Sequence, residues 1–350
     1  MSAFLDALFL RTGYNAALVS VGAVLLGLAA GAAGTFMVLR KRALVADAMA
    51  HATLPGVALA FLAMVALGGE GRALWGLMVG AAGTALLGLL AVDWLTARTR
   101  LPEDAAIGAV LSVTFGAGVV LLTVIQTMSA GQQAGLEGFL LGSTAGMLRA
   151  DALTIAVGGL LAGAVIWAMR RPMTIVAFDE GFAAATGIDV VRVDRIGMVL
   201  VLFVTVAGLR IVGIVLVVAL LIIPAVAARF WTDRASVMFW VAALIGGLSG
   251  WLGTALSAAA PGLPAGPLVV LVAAAIFALS LLLAPRRGVI ARAVAVRASS
   301  GRLDATEAAR WIALRHMEPT SPLIDEDDGR TPLSALLPPD RLAALDRGSV

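Results

Sequence analysis

The sequence predicts an all-α fold, a polytopic integral membrane helix bundle of about eight or nine transmembrane helices with a short cytoplasmic helix and a polar C-terminal tail. Of its 350 residues, 61% are hydrophobic and 13% are charged, whereas about 25% are charged in an average soluble domain. Apolar runs of about 20 residues, the length that crosses a bilayer, recur along the chain. The 39 glycines, some of them four residues apart, suit helices that pack closely in lipid.

Composition excludes several classes of function. A soluble globular enzyme is excluded by the hydrophobic content. Because the chain has no cysteine, disulfides, cysteine zinc sites, iron–sulfur clusters and thiol catalysis are excluded as well. The net charge of +3 comes almost entirely from arginine, since Lys41 is the single lysine. In a membrane protein such basicity reflects cytoplasmic loops, so no nucleic-acid partner is implied.

The apolar runs place nine candidate helices in order along the chain. They lie at 15–39, 44–68, 73–95, 105–127, 151–169, 192–209, 211–228, 235–258 and 266–284. Each is judged by the length needed to cross the hydrocarbon layer. The sixth and seventh are the least separated, because residues 208–213 leave almost no loop between them. One long broken or re-entrant element is the alternative there.

Basic residues in the connections set the orientation. Thirteen fall on one side of the predicted membrane and four on the other. The larger set is Arg40, Lys41, Arg42, Arg98, Arg100, Arg170, Arg171, Arg192, Arg195, Arg229, Arg234, Arg286 and Arg287, and the smaller set is Arg11, Arg72, Arg149 and Arg210. Since basic loops stay in the cytoplasm, the N-terminus is predicted outside and the C-terminus in the cytoplasm. Residues 1–14 lack a basic n-region, so no cleaved signal peptide is expected.

Two connections are longer than the topology needs. The outer one, 128–149, is too apolar for a free loop and too short for another crossing, so it lies along the surface or re-enters the protein. Its Glu137 is a candidate ligand or docking charge at the outer mouth, or an ordinary solvated residue. The inner one, 170–191, has Phe178, Phe182 and Ala185 at helical spacing, followed by Gly187. This pattern predicts a short amphipathic helix at the cytoplasmic face.

The composition changes after Leu283. Residues 285–350 contain ten arginines, nine acidic residues and several prolines. Such a segment buries too little apolar surface to fold firmly. The chain is therefore divided into a transmembrane domain, 1–287, and a polar cytoplasmic tail, 288–350, that is predicted to be partly disordered.

One ionisable pair lies inside a predicted span. Asp47 and His51 are four residues apart, so they share a helix face with Cβ atoms about 6 Å apart. With Arg42 as the boundary, His51 is about 13 Å along the helix axis, near the bilayer centre. A charge there costs roughly 2.5–3.5 kcal/mol on insertion scales, so such a pair is a functional hypothesis by default. The carboxylate and the imidazole could together bind one divalent cation. Alternatively, Asp47 caps the helix and His51 is a core histidine.

Prolines inside the spans add candidate kinks. Pro55 and Gly56 follow the pair, and Pro55 clashes with the carbonyl of His51, four residues earlier. A kink and a free carbonyl are then expected beside the pair. Pro224 could likewise open a carbonyl towards a pathway, or only bend its helix.

Three blocks resemble one family. The stretch FMVLRKRALVADAMAHATLPGVALAFL, at 36–62, is similar to the second-helix signature of the permease subunit of ABC-type zinc/manganese/iron importers. The blocks GLEGFLLGSTAGM at 135–147 and GLRIVGIVLVVALLIIPAVAAR at 208–229 are similar to two more of its blocks, in the same order and spacing. The resemblance covers about 10–287. Ala46 and Ala50 depart from the family's usual Gly and Ser, but neither position supplies a ligand.

The resemblance implies a multi-pass subunit of the bacterial cytoplasmic (inner) membrane that forms a pore and is not itself an enzyme. Its partners would be a separate cytoplasmic ATPase, an extracytoplasmic metal-binding protein, and a second permease in a homodimer or heterodimer. The metal is cargo, and no cofactor is expected. In agreement, the sequence lacks a G-x-x-x-x-G-K-S/T phosphate loop.

The resemblance also gives the predicted cytoplasmic helix a role. The segment 177–189, with Asp179, Glu180, Ala184 and Gly187, would dock into a cleft of the ATPase. The alternative is an interfacial helix that lies on lipid headgroups.

Two functions remain open at the level of sequence. In the first, the chain is the permease subunit of a binding-protein-dependent divalent-metal importer, and the metal passes an Asp47–His51 station. A histidine with a carboxylate suits Zn(II), Mn(II) or Fe(II). The second is a stand-alone secondary transporter in which the same pair relays protons.

Overall fold

The computed structural model describes residues 6–9, 11, 14–69, 71, 73–127, 149–259, 263–285 and 288–292. Within these ranges the chain contains ten helices of six or more residues and no strand. They are α1 Tyr14–Leu39, α2 Ala43–Ala66, α3 Leu74–Arg98, α4 Glu103–Thr127, α5 Arg149–Phe178, α6 Glu180–Ala185, α7 Val190–Val212, α8 Ile214–Trp231, α9 Ala235–Ala259 and α10 Ala265–Leu283.

Seven of the ten described helices are long and apolar enough to cross a membrane. The other three are α6, α7 and α8. A shorter apolar stretch, Val217–Trp231, lies in α8. The prediction of an all-α polytopic membrane bundle is thereby confirmed. Residues 128–148, which make up all but the last residue of the outer connection, lie outside the described residues, and so does Glu137.

A single glycine separates α7 from α8. Gly213 has φ 84° and ψ 168° and forms the boundary of both helices. A positive φ of this size is readily adopted only by glycine. The two apolar runs that the sequence left ambiguous are therefore two helices with a one-residue break.

The predicted end of the fifth helix at 169 is wrong. Helix α5 continues to Phe178 with Pro172 inside it, and the following short helix covers only Glu180–Ala185. Proline removes one N–H donor, but a helix held by neighbours tolerates that loss. Here α5 packs along α1 and α7.

The close approach of α1 to α9 shows what the glycines do. A Cβ on Gly27 would lie 2.2 Å from the carbonyl oxygen of Gly246, and one on Gly31 would lie 2.1 Å from that of Ala242. Only residues without a side chain allow two backbones to meet at this distance. Helix α1 also packs on α5, α7 and α8 and thus lies in the core of the bundle.

The chain separates into two units, Met1–Ala284 and Pro285–Val350. Of the second unit, the described residues show one backbone turn, in which the amide of Arg292 donates to the carbonyl of Gly288 at 2.9 Å. The predicted disorder of the tail concerns residues beyond the described ones.

Candidate metal site

Asp47 and His51 face each other on α2 as the sequence predicted. The Nε2 atom of His51 lies 3.5 Å from Oδ1 of Asp47, and their side chains are 19% and 37% exposed. The pair is therefore partly open, on the flank of a helix that is otherwise largely buried. A carboxylate oxygen and an imidazole nitrogen at this distance can share one small cation.

The second nitrogen of His51 has no partner within the described part of the chain. Its Nδ1 atom is buried and unpaired, while the ring packs edge-on against Phe115 of α4, with centroids 5.2 Å apart. Leaving a buried polar atom unpaired costs about 1–3 kcal/mol. A satisfied core histidine would use both nitrogens, so this geometry does not favour that reading.

The described residues contain no cluster of three or more His, Cys, Asp or Glu side chains that could hold a metal ion. Structural zinc sites use four protein ligands. On its own, the described chain therefore offers an ion two ligands.

Pro55 and Gly56 pack helices closely beside the pair. Pro55 lies within α2, which continues to Ala66, and its Cδ is 3.2 Å from where a Cβ on Gly118 of α4 would lie. A Cβ on Gly56 would lie 2.1 Å from the carbonyl oxygen of Gly80 on α3. Pro224 is buried within α8. That any of the three kinks a helix near the pathway stays a prediction.

The four residues of the predicted docking segment lie around α6. Asp179 caps this helix, because its Oδ1 accepts from the amide of Phe182 at 2.8 Å. Glu180 begins the helix and pairs with Arg40. Ala184 and Gly187 are exposed, and Gly187 has φ 82°. Sequence reasoning gave both carboxylates to a partner, whereas here each already has an intramolecular contact.

The aromatic side chains around α6 face outward. Phe178 and Phe182 are 63% and 57% exposed, whereas Ala183 is fully buried. An amphipathic helix on a soluble protein buries its large apolar side chains. The inverted arrangement leaves an apolar surface that a membrane or a partner protein would cover.

Sequence reasoning missed the role of Arg40. The sequence indicates only a loop charge at this position, yet its side chain contacts Glu180 and Asp194 and donates to the carbonyl of Val176 at 3.2 Å. Burial by itself lowers the pKa of this guanidinium, but the two carboxylates outweigh it, so the pKa of Arg40 is raised. Arg40 stays charged, and the pairing fixes the end of α1.

Residues 14–284 match the family described as ABC 3 transport family. The chain is 41% identical over 280 residues to the manganese transport system membrane protein MntC of Bacillus subtilis (strain 168), covering 80% of this chain and 63% of that protein. The match thus spans less than two thirds of that relative's length. It is 37% identical over 281 residues to the zinc transport system membrane protein TroC of Treponema pallidum (strain Nichols), covering 80% of this chain and 93% of that protein.

A solved structure supports the same relationship. The structure described as PsaBC from Streptococcus pneumoniae in complex with Fab aligns with a TM-score of 0.69 and 28% sequence identity. The alignment covers 82% of this chain and 97% of that chain.

Proposed function

Because the chain belongs to the ABC 3 transport family, we propose that it is the permease subunit of an importer that carries divalent transition-metal ions, Mn, Zn or Fe, across the bacterial inner membrane. The observation that carries the proposal is the Asp47–His51 pair, partly open on a helix long and apolar enough to cross a membrane. Its relatives named above are membrane proteins of manganese and zinc transport systems.

The pair suits transient binding of a metal ion. Ionisable side chains within membrane helices mark ion pathways, and a carboxylate with an imidazole suits first-row divalent ions. Two ligands bind more weakly than the four of a structural zinc site. A transporter needs this weakness, because the ion must leave as readily as it enters. Water, or the same pair from a second permease in a homodimer or heterodimer, would complete the coordination.

The energy would come from a separate ATPase. The chain carries no phosphate-binding loop of its own. In this proposal α6 docks on the ATPase through the exposed Phe182 and the small residue Ala184, together with the exposed Phe178 at the end of α5. An extracytoplasmic metal-binding protein delivers the ion from the other side. The distribution of arginines supports a cytoplasmic C-terminus.

The test is import by the whole complex. The permease, its ATPase and its metal-binding protein are reconstituted in proteoliposomes, and Mn, Zn and Fe are measured element by element inside them. Import of at least one of these metals that requires ATP supports the proposal. Import driven by a pH gradient without ATP would instead establish the proton-coupled secondary transporter.

A further inference from the structure

Five charged side chains from different parts of the chain meet on the side that the arginines assign to the cytoplasm. They are Arg40, Arg42, Glu103, Glu180 and Asp194, called here the five-charge cluster. The first two flank the turn between α1 and α2, and the others lie on α4, α6 and α7. The cluster thus connects the proposed ATPase-docking helix with the helix that carries Asp47 and His51.

Arg40 is the most buried member of the cluster. Its side chain is 10% exposed, and that of Asp194 is 16% exposed. One guanidinium group contacts the carboxylates of Glu180 and Asp194 and the carbonyl of Val176 in the last turn of α5. The beginning of α6, the last turn of α5 and the N-terminal part of α7 are therefore contacted by one side chain, that of the residue directly after α1.

Asp194 extends the connection to Arg42. Its Oδ2 atom is shared, because Nη1 of Arg42 lies 3.9 Å from the oxygen that Arg40 also contacts. Nε of Arg42 in turn lies 3.0 Å from Oε1 of Glu103 on α4. The charges alternate in sign along the series Glu180, Arg40, Asp194, Arg42 and Glu103, so each inner member lies within 4 Å of an opposite charge on both sides.

The turn between α1 and α2 is short and firmly closed. Lys41 has φ 59°, a backbone conformation that residues other than glycine rarely adopt. The amide of Arg42 donates to the carbonyl of Met37 at 2.9 Å, which closes the end of α1. Helix α2 begins at the next residue, Ala43. Arg42 therefore cannot move far without moving the first turn of α2, and Asp47 follows five residues later, about 7.5 Å along the axis.

We propose that Arg40 and Asp194 are positioning residues that transmit movement of α6 on the ATPase to α2, and so to Asp47 and His51. This inference rests on the proposed function. The physical reason is that a buried charge pair cannot stretch freely, since separation would leave buried charges without a partner. A shift of Glu180 therefore moves Arg40 and, through the shared carboxylate of Asp194, moves Arg42.

The experiment measures metal imported per ATP hydrolysed by the complete complex in proteoliposomes. Asp194→Asn keeps the shape of the side chain but removes the shared charge. We expect the complex to assemble and hydrolyse ATP, while the ratio of import to hydrolysis falls by roughly 5- to 150-fold, the usual size of coupling between two sites. Arg192→Gln is the matched control, because it removes an exposed ion pair with Asp189 that does not join different helices. The ratio should not change in this control.

A second variant keeps the test decisive if Asp194→Asn fails to assemble. Glu180 is 60% exposed, so Glu180→Gln should fold, and it should also lower the ratio. The double variant Glu180→Gln with Arg40→Gln should lower the ratio no further than Arg40→Gln alone, since the effects of substituting contacting residues in one network are not additive.

Three results would overturn the inference. These are a wild-type ratio in both Asp194→Asn and Glu180→Gln, fully additive effects, or import and hydrolysis that fall together with the amount of assembled complex. If the unmodified complex imported none of the three metals, the proposed function would fail, and this inference with it. Normal import by the unmodified complex with unchanged variants would reject this inference alone.

Discussion

At the scale of single residues, Asp47 and His51 are the side chains on which transport is expected to depend. Asp47→Asn keeps the size and removes the charge, and His51→Leu keeps the bulk and removes the ligand. Each should lower metal import by at least roughly tenfold, since even indirect partners of a metal ligand contribute 10- to 100-fold. Import is measured in proteoliposomes, and assembly with the ATPase is measured by co-purification.

The thermal midpoint separates this functional role from a packing role. Removing the partly buried carboxylate in Asp47→Asn should leave the Tm of the complex unchanged or higher. His316→Leu, at the only other histidine of the sequence, is the matched control and should import normally. Normal import by both site variants, or transport lost only through failed assembly, would return His51 to the role of a core histidine.

Gly56 provides a second prediction at this scale, about stability. An added Cβ would lie 2.1 Å from both the carbonyl oxygen of Gly80 and Oγ1 of Thr84, so α2 and α3 would have to separate. We expect Gly56→Ala to destabilise the fold by about 1–3 kcal/mol, as overpacked cores do. The measurement is the Tm of the purified protein in detergent.

Gly83 on α3 is the control for that substitution. Nothing lies within 4 Å of its added Cβ, and alanine is favoured over glycine in a helix by about 1 kcal/mol. Gly83→Ala should therefore keep or raise the Tm. An unchanged Tm in Gly56→Ala would mean that α2 and α3 are not packed this closely.

At the scale of elements, α6 carries the prediction about docking. Ala184 is exposed next to Phe182, so Ala184→Trp should leave the fold intact and obstruct a close-fitting partner. Gly187→Pro should act in the same direction, because proline requires φ near −65° where Gly187 has 82°. Co-purification with the ATPase and ATP-driven import should both fall.

Another exposed alanine, on α3, tests whether bulk alone causes the effect. Ala97 lies near the end of α3 on the side with the basic loops, and Ala97→Trp should retain the ATPase. Wild-type binding and import in Ala184→Trp and Gly187→Pro would remove α6 from the interface.

The elements also show what the sequence could predict. Hydropathy located α1 to α4, α9 and α10 to within a few residues, because the length of an apolar run is a property of the sequence alone. It placed the end of the fifth helix too early, because Pro172 lies inside α5, which packs on α1 and α7. The outward orientation of Phe178 and Phe182 also depends on tertiary packing.

The candidate site, like the helices, could be predicted from the sequence only in part. The spacing of Asp47 and His51 places them on one face of any helix, so the pair was predictable. The contact between Arg40 and Asp194 joins residues 154 positions apart. A single sequence does not show which loop charges pair with each other, and no periodic pattern relates α1 to α7. This connection therefore required the fold.

At the scale of the whole molecule, the two units of the chain differ in what they contribute. The family match ends at 284, and the first unit ends at Ala284 as well. Every residue assigned here to metal binding, docking or positioning lies before that point. The second unit has a polar sequence, rich in arginine and acidic residues, that is unlike the rest of the chain.

Ending the chain after Arg292 should therefore leave membrane insertion, assembly with the ATPase and metal import largely intact. Polar segments that bury little apolar surface contribute little to a fold, and removal of a terminal segment is tolerated when few contacts depend on it. The truncated and complete chains are compared for the amount in the membrane fraction, for co-purification of the ATPase, and for import per assembled complex. Full insertion with import reduced severalfold would give the tail a regulatory role, whereas loss of insertion would show that the first unit cannot fold without it.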